Sequence, residues 1–344
     1  MARFLSVFWE IFFGKRICSI IITKGGLLLS NGTAVQSSTK KTKGQKLLQA
    51  IGRDWQLYIF ILPAVVFYIV FHYLPLYGIQ IAFKDYKAVQ GIAGSAWVGL
   101  KHFKTFFSSY LAKQLIVNTL AVNIFNLLWG FPLPVILSLL LNRLPSERFK
   151  KFNQTVIYIP HFVSTVVLAG MLYIFLDPNN GIVNKFIAFL GGTPQYFMAE
   201  SKWFRTVFVA SSIWQNTGWN TIIYIAALTG IDQEMYEAAK IDGATILQQI
   251  WYIDMPSIIP MAMMMLILNS GQVMAGNMQK TLLLQTSGNK GTSNTIGMYV
   301  YSMGLTQGQF SYTAAIGLFQ NVVSFLMVIT VNTISNKLSS ISMF

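Results

Sequence analysis

The sequence predicts an all-α polytopic membrane protein with six membrane-spanning helices. Three observations lead there. Of 344 residues, 54% are hydrophobic and only 10% are charged, where an ordinary soluble domain has about a quarter charged. Nine of the 25 basic residues precede Trp55, so the rest of the chain is poorer still in charge. Six segments then supply the ~20 mostly apolar residues, about 30 Å at 1.5 Å each, that a spanning helix needs. The composition excludes a disordered chain, a collagen and a disulfide-rich secreted scaffold. Cys18 is the only cysteine, so an intrachain disulfide and a Cys-based metal site are excluded as well.

Residues 1–54 read as a basic cytoplasmic or interfacial tail and linker. Its apolar stretches, 4–13 and 17–29, are interrupted by Glu10, Lys15, Arg16 and Lys24 and do not span. Residues 30–46 are polar, basic and linker-like. The tail is either a frayed interfacial segment or an upstream extension from a mis-assigned start. The expected spans are about 57–78, 115–141, 155–176, 206–231, 257–276 and 311–334. Gly130, Pro132 and Pro134 predict a kink in the second, which a bundle tolerates when neighbours satisfy the freed backbone. The chain then divides into the tail 1–54, the first span with an outer loop 55–114, a five-span core 115–338 containing a loop 231–256, and a cytoplasmic end 339–344.

Placing both termini in the cytoplasm puts 15 of the 25 Lys and Arg inside, decided by the tail and the short loop from Arg143 to Lys151. The +14 net charge therefore reflects residues flanking spans, and the basic residues form no amphipathic stripe suited to nucleic acid. Asp, Glu, Lys and Arg are absent from the centres of all six spans, which argues against an ion-coupled carrier. His72 and His161, each near a proline, read as hydrogen-bonded packing residues. HExxH, GxSxG and the GxxxxGK[ST] phosphate loop are all missing, so neither a catalytic site nor a nucleotide site is expected on this chain. Energy for uphill movement must come from a partner.

Between the fourth and fifth expected spans lies Gly230-Ile231-Asp232-Gln233-Glu234-Met235-Tyr236-Glu237-Ala238-Ala239-Lys240-Ile241-Asp242-Gly243-Ala244, continuing to Ile253-Asp254-Met255-Pro256. It predicts a short helix with acidic residues at its start, which the helix dipole favours. Ala238 and Ala239 give it a small-residue face, and Gly243 ends or bends it. A second helix over about 246–252 follows, and Pro256 restarts the chain into the membrane.

The spacing Glu-Ala-Ala, three residues, Gly, nine residues, Ile-x-Leu-Pro is that of the cytoplasmic loop in permease subunits of binding-protein-dependent ABC importers. This sequence resembles it at Glu237, Ala238, Ala239, Asp242, Gly243, Ile253 and Pro256, with Met255 in place of the usual leucine, a swap that conserves volume. Trp97 to Phe103, Asn118-Thr119, Tyr158 to Phe162, Trp214, Gly218-Trp219 and Gly308 to Tyr312 also resemble oligosaccharide permeases of the LplB type. The likeness runs over about 57–338 and leaves the first 50 or so residues uncovered.

The resemblance implies the type I ABC importer permease arrangement, multi-pass in a bacterial cell membrane, with the loop as a coupling helix seated in an ATPase. It implies an oligosaccharide cargo, an extracellular solute-binding lipoprotein, a second permease subunit forming a heterodimer, and a cytoplasmic ATPase dimer. ATP and Mg belong to that ATPase, and this chain would bind no cofactor or metal and catalyse nothing. Other readings are a permease for a non-sugar cargo, or a membrane enzyme or sensor with no ATPase partner. Candidates for the substrate path are Trp214, Gln215, Trp219, Asn220, Asn269 and Gln272, joined by Asn216, Thr217, Ser270 and Asn277. Aromatic faces and amides suit sugars, but amides glue helices together equally well. Trp214 and Trp219, five residues apart, lie on different helix faces. The outer loops carry ten basic against three acidic residues, which fits an acidic oligosaccharide or an acidic binding protein alike.

Overall fold

The computed structural model describes residues 55–339. The expected tail 1–54 with its basic residues lies outside the described residues, as does the expected end 339–344 beyond its first residue. The described residues divide into two units, 55–68 and 69–339. In the first, α1 covers Trp55–Tyr68 and carries Pro63. Its apolar side chains stand exposed, Phe60 and Leu62 among them, as suits a helix solvated by lipid.

The second unit opens with a π-turn, Ile69–Tyr73, and a 3-10 stretch, Leu74–Phe83. A two-stranded antiparallel ladder then pairs Lys84 with Trp97 and Asp85 with Ala96. The helices that matter below are α2 (Lys101–Phe107), α3 (Tyr110–Gly130), α4 (Pro132–Asn142), α5 (Glu147–Tyr158), α6 (Thr165–Phe175) and α7 (Ser201–Thr229). They continue with α8 (Gln233–Ile241), α9 (Ile246–Gln249), α10 (Met255–Ser270), α11 (Met278–Leu284) and α12 (Phe310–Ser339).

Among the described residues, four stretches are long and apolar enough to cross a membrane: Tyr58–Phe83, Tyr110–Asn142, Ile246–Ser270 and Phe310–Lys337. They overlap the expected first, second, fifth and sixth spans. The break between α3 and α4 falls at Phe131, just ahead of Pro132, where the sequence places a kink.

The expected third span, 155–176, is bent far more sharply than a proline kink. The helical segments Glu147–Phe162 and Thr165–Phe175 meet at 95°. Pro160 sits in the last turn of the first segment, and Val163 leaves it in extended geometry (φ −73°, ψ 122°). Ser164 then restarts the helix by accepting a hydrogen bond from the Val167 backbone N–H. The pair counts as one further crossing only if the bend is part of it.

The expected fourth span, 206–231, overlaps α7 and runs two residues past its end. This helix is 29 residues long, about 44 Å at 1.5 Å per residue, but Gln215, Asn216, Thr217 and Asn220 break its apolarity.

The expected restart at Pro256 also does not occur. Ile246–Gln249, a π-turn at Ile250–Asp254 and α10 run on as one continuous helical stretch. Pro256 occupies its first α-turn after the wider π-turn, where a missing N–H is tolerated.

Among the described residues, three buried clusters hold the unit together. Phe106, Leu115, Met274, Ile296 and Ile316 bring α2 and α3 against α12 and the turn after α10. Val122, Ala169, Phe204, Phe208 and Leu284 pack α3, α6, α7 and α11. Leu139, Leu228 and Ile258 join the ends of α4 and α7 to the start of α10. Gly218 shows how closely α7 lies on α5, since a Cβ there would sit in contact with the Ile157 carbonyl. Only glycine permits that approach.

Candidate functional site

The elbow between α7 and α10 is built by local chemistry. Asp232 caps α8, its carboxylate accepting from the Glu234 N–H at 3.1 Å. At the other end Gly243 adopts φ +77°. The Ala244 N–H bonds the Ala239 carbonyl at 2.8 Å and the Gly243 N–H bonds the Lys240 carbonyl at 3.1 Å, the pair of bonds that closes a helix with a left-handed residue. Thr245 and Gln248 form a capping box that starts α9 immediately afterwards. Space does not demand the glycine, for a Cβ at 243 would meet nothing within 4 Å; the backbone conformation does.

Glu237, Ala238, Asp242 and Gly243 face outward, Ala239 is half-buried and Pro256 is exposed, while Ile253 is buried. Beside them stand apolar side chains left uncovered, Ile241 at 87% and Leu247 at 77% exposure.

Under the elbow is an arrangement that the sequence pattern did not reveal. Asp254 is fully buried. It accepts from Arg143 Nε at 2.9 Å and Nη2 at 2.5 Å, and from the Tyr236 hydroxyl at 2.5 Å. Arg143 Nη1 donates to Gln249 Oε1 at 2.9 Å, and Gln249 Nε2 donates to the Ala244 carbonyl at 3.2 Å. The guanidinium also covers the Tyr236 ring, 4.8 Å from its centroid. Burial, reinforced by the hydrogen bond to Asp254, pushes the Tyr236 hydroxyl up from 10.0 to about 12. The node ties α8 and the turn after Gly243 to the end of α4 and the start of α10. In the sequence Arg143 reads only as a charge flanking a span, and Asp254 carries no assigned role between Ile253 and Pro256.

A cavity of about 230 Å³ opens between α3, α7 and α10. Asn126, Asn216, Asn220, Asn269, Gln272 and Asn277 are among its walls. Thr217 also lines it, and its hydroxyl is buried with no hydrogen-bond partner. Of the six principal substrate-path candidates, Asn220, Asn269 and Gln272 meet here. Gln215 does not: its Nε2 donates to the Val163 carbonyl at 2.7 Å and braces the bend between α5 and α6.

Trp219 stacks on His161 at 4.4 Å and borders a neighbouring cavity of about 560 Å³. His161 also bonds Asn216 at 3.2 Å, a packing role. Trp214 lines a separate apolar cavity with Leu168 and Phe175. Ser270 is buried, its hydroxyl donating to the Ile267 carbonyl at 2.6 Å. Among the described residues no His, Cys, Asp and Glu cluster could hold a metal.

These positions separate two variants. Gln215→Ala is expected to lower stability by about 0.5–1.5 kcal/mol, the net worth of a hydrogen bond, and to leave uptake per folded molecule unchanged. Gln272→Ala is expected to do the reverse. Thermal unfolding in detergent, run beside a transport assay, reads both quantities.

A sequence model of the family described as binding-protein-dependent transport system inner membrane component matches residues 130–340. The chain is 41% identical over 298 residues to the polygalacturonan/rhamnogalacturonan transport system permease protein YteP of Bacillus subtilis (strain 168), covering 87% of this chain and 93% of that protein. It is 39% identical over 302 residues to Protein LplB of the same organism, covering 88% and 95%. A crystal structure of a bacterial ABC transporter involved in the import of the acidic polysaccharide alginate is similar in fold, with a TM-score of 0.79 and 34% identity. That match covers 86% of this chain and 99% of the other.

Proposed function

The chain belongs to the family of binding-protein-dependent transport system inner membrane components, and from that membership we propose that it forms half of the pathway for ATP-driven uptake of an oligosaccharide delivered by an extracellular binding protein. It is a multi-pass membrane subunit and does no chemistry of its own. Six spans cross the membrane, with α7 as the fourth and the bent pair α5–α6 as the third, and both termini lie in the cytoplasm. A second, different permease subunit completes the pore. A cytoplasmic ATPase dimer, holding ATP and Mg, drives it, and a solute-binding lipoprotein supplies the cargo.

The cargo is supported by the relatives: the YteP and LplB likenesses extend over nearly nine tenths of this chain. A second crystal structure of the alginate transporter, in complex with a periplasmic protein bound to an alginate pentasaccharide, has a TM-score of 0.80 to this chain. The polar cavity is of the right chemistry, since amides donate to and accept from sugar hydroxyls.

The observation that carries the reading is the elbow. It is a rigid, doubly capped turn that presents Glu237, Ala238 and Gly243 outward next to uncovered Ile241 and Leu247. In this reading it is the coupling helix. The small residues allow a close approach to a cleft in the ATPase, the apolar pair is covered there, and Glu237 meets a basic side chain of the partner. Closure of the ATPase dimer then moves the elbow, and the helices joined to it turn the pathway from inward-open to outward-open.

Reconstituted in vesicles with the partner subunits, the complex is expected to take up an oligogalacturonide only with ATP and its binding protein present. A cysteine at Ala238 is expected to crosslink to the ATPase. Uptake that persists without the ATPase, or uptake with no crosslink at the elbow, would overturn the proposal.

A further inference from the structure

The walls of the amide-lined cavity are neutral, but a cation lies directly behind them. Lys280, on α11, is only 2% exposed. Its Nζ donates to the Ser212 hydroxyl at 2.6 Å and to the Phe208 carbonyl at 3.1 Å, and sits 4.9 Å from the centroid of the Phe208 ring. Its backbone N–H donates to Asn277 Oδ1 at 2.9 Å. Ser212, Phe208 and Asn277 all line the cavity. The lysine is therefore held by the back of the cavity wall.

What it lacks is an anion. Among the described residues the ion pairs join Arg143 to Asp254, Lys150 to Glu147 and Lys202 to Glu200. Lys280 is in none of them. A buried ammonium given only neutral acceptors and a ring face is costly, because Coulomb attraction to a counter-charge is what normally offsets desolvation. Methionine or leucine would fill such a position in a helix junction without that cost. Burial lowers the Lys280 ammonium from 10.5 to about 7, so below neutral pH it carries a charge unbalanced by the protein itself, and the polar space it adjoins is the cavity.

We propose that this cavity is a subsite for a saccharide unit bearing a carboxylate, a uronate, and that Lys280 is the residue that sets this preference. The inference rests on the cavity being part of the cargo path. The amides of Asn220, Asn269 and Gln272 take the ring hydroxyls, and the free Thr217 hydroxyl adds a further partner. Lys280 acts through the wall by its field, without touching the sugar. This arrangement suits a pathway, since a direct ion pair would hold a charged cargo too firmly to release it, whereas a screened one biases entry and still lets go. A unit charge about 10 Å away across protein changes affinity by roughly tenfold.

The test uses the complete transporter in lipid nanodiscs and two probes, trigalacturonate and its fully methyl-esterified, uncharged form. Equilibrium binding of each is measured at about pH 6, where Lys280 is protonated, and without the binding protein, so that only the membrane subunits discriminate. The wild type is expected to hold the acid about tenfold more tightly than the ester. Lys280→Met is expected to erase that difference while keeping ester binding within about twofold. Lys280→Gln, which retains hydrogen bonding without charge, serves as the second variant should the first not insert. Equal binding of acid and ester by the wild type would overturn the proposal and leave the cargo path standing. So would a full acid preference in either variant. If the wild type bound neither probe, the cavity would not be a saccharide site, and the cargo reading would fall with it.

Discussion

A Gly243→Asp variant is expected to insert and fold but to lose oligosaccharide uptake by at least ~tenfold, a change of about 1.4 kcal/mol or more in the step that couples the partner to the pathway. Two facts make the outcome specific. Gly243 has φ +77°, which costs a residue with a side chain roughly 1 kcal/mol, and aspartate is among those that bear it best. The space around its missing Cβ is empty within 4 Å, so nothing inside this chain is displaced. The new carboxylate stands where the proposed partner surface seats. Membrane level and unfolding midpoint should therefore stay close to wild type while uptake falls and ATP hydrolysis continues. Gly243→Asn supplies the same backbone conformation with no charge and is expected to fall between the two. Normal uptake by Gly243→Asp would contradict the docking role of the elbow.

The elbow was legible in the sequence because its determinants are local. The acidic start of α8 and Gly243 at its end are read directly from spacing, and Asp232, Thr245 and Gln248 cap the two helices within a few residues of themselves. The long apolar helices were legible for the same reason. The bend in the third expected span was not, because its braces come from elsewhere. Gln215 holds the Val163 carbonyl and Trp219 stacks on His161, partners more than 50 residues apart. Pro160 alone did not specify a 95° turn. The amides could be named as candidates, yet Gln215 and Gln272 are chemically alike in a linear pattern. Only the neighbours of α7 and α10 put one at a helix junction and the other in a cavity. Arg143 and Asp254, 111 residues apart, carry no mutual signal in one sequence, and neither does a lysine that turns inward.

The second large effect is expected at that ion pair. Asp254→Ala leaves Arg143 partly buried without its carboxylate, and breaking a buried pair from one side costs about 3–5 kcal/mol. Asp254→Ala should therefore lower the unfolding midpoint sharply. The triple variant Arg143→Met, Tyr236→Phe and Asp254→Leu removes every polar member that depends on that carboxylate, and apolar replacement of a buried network is often neutral or stabilising. It is expected to regain part of the lost stability, the remainder being the cost of the buried Gln249 Oε1 left without its Arg143 donor.

Uptake per ATP hydrolysed should nevertheless stay low in the triple variant. The node joins α8 to the ends of α4 and α10 by short, directional bonds, and apolar packing lets those elements slide past one another. A triple variant that transports at the wild-type ratio would reduce the node to simple packing.

Alkaline titration isolates the tyrosine. Its hydroxyl is pushed up from 10.0 to about 12, so its contribution to stability is complete below pH 10 and is lost as pH rises through 12. Tyr236→Phe is expected to flatten that part of the alkaline limb relative to wild type. An unchanged limb would mean that neither burial nor the bond to Asp254 raises the hydroxyl in the folded protein.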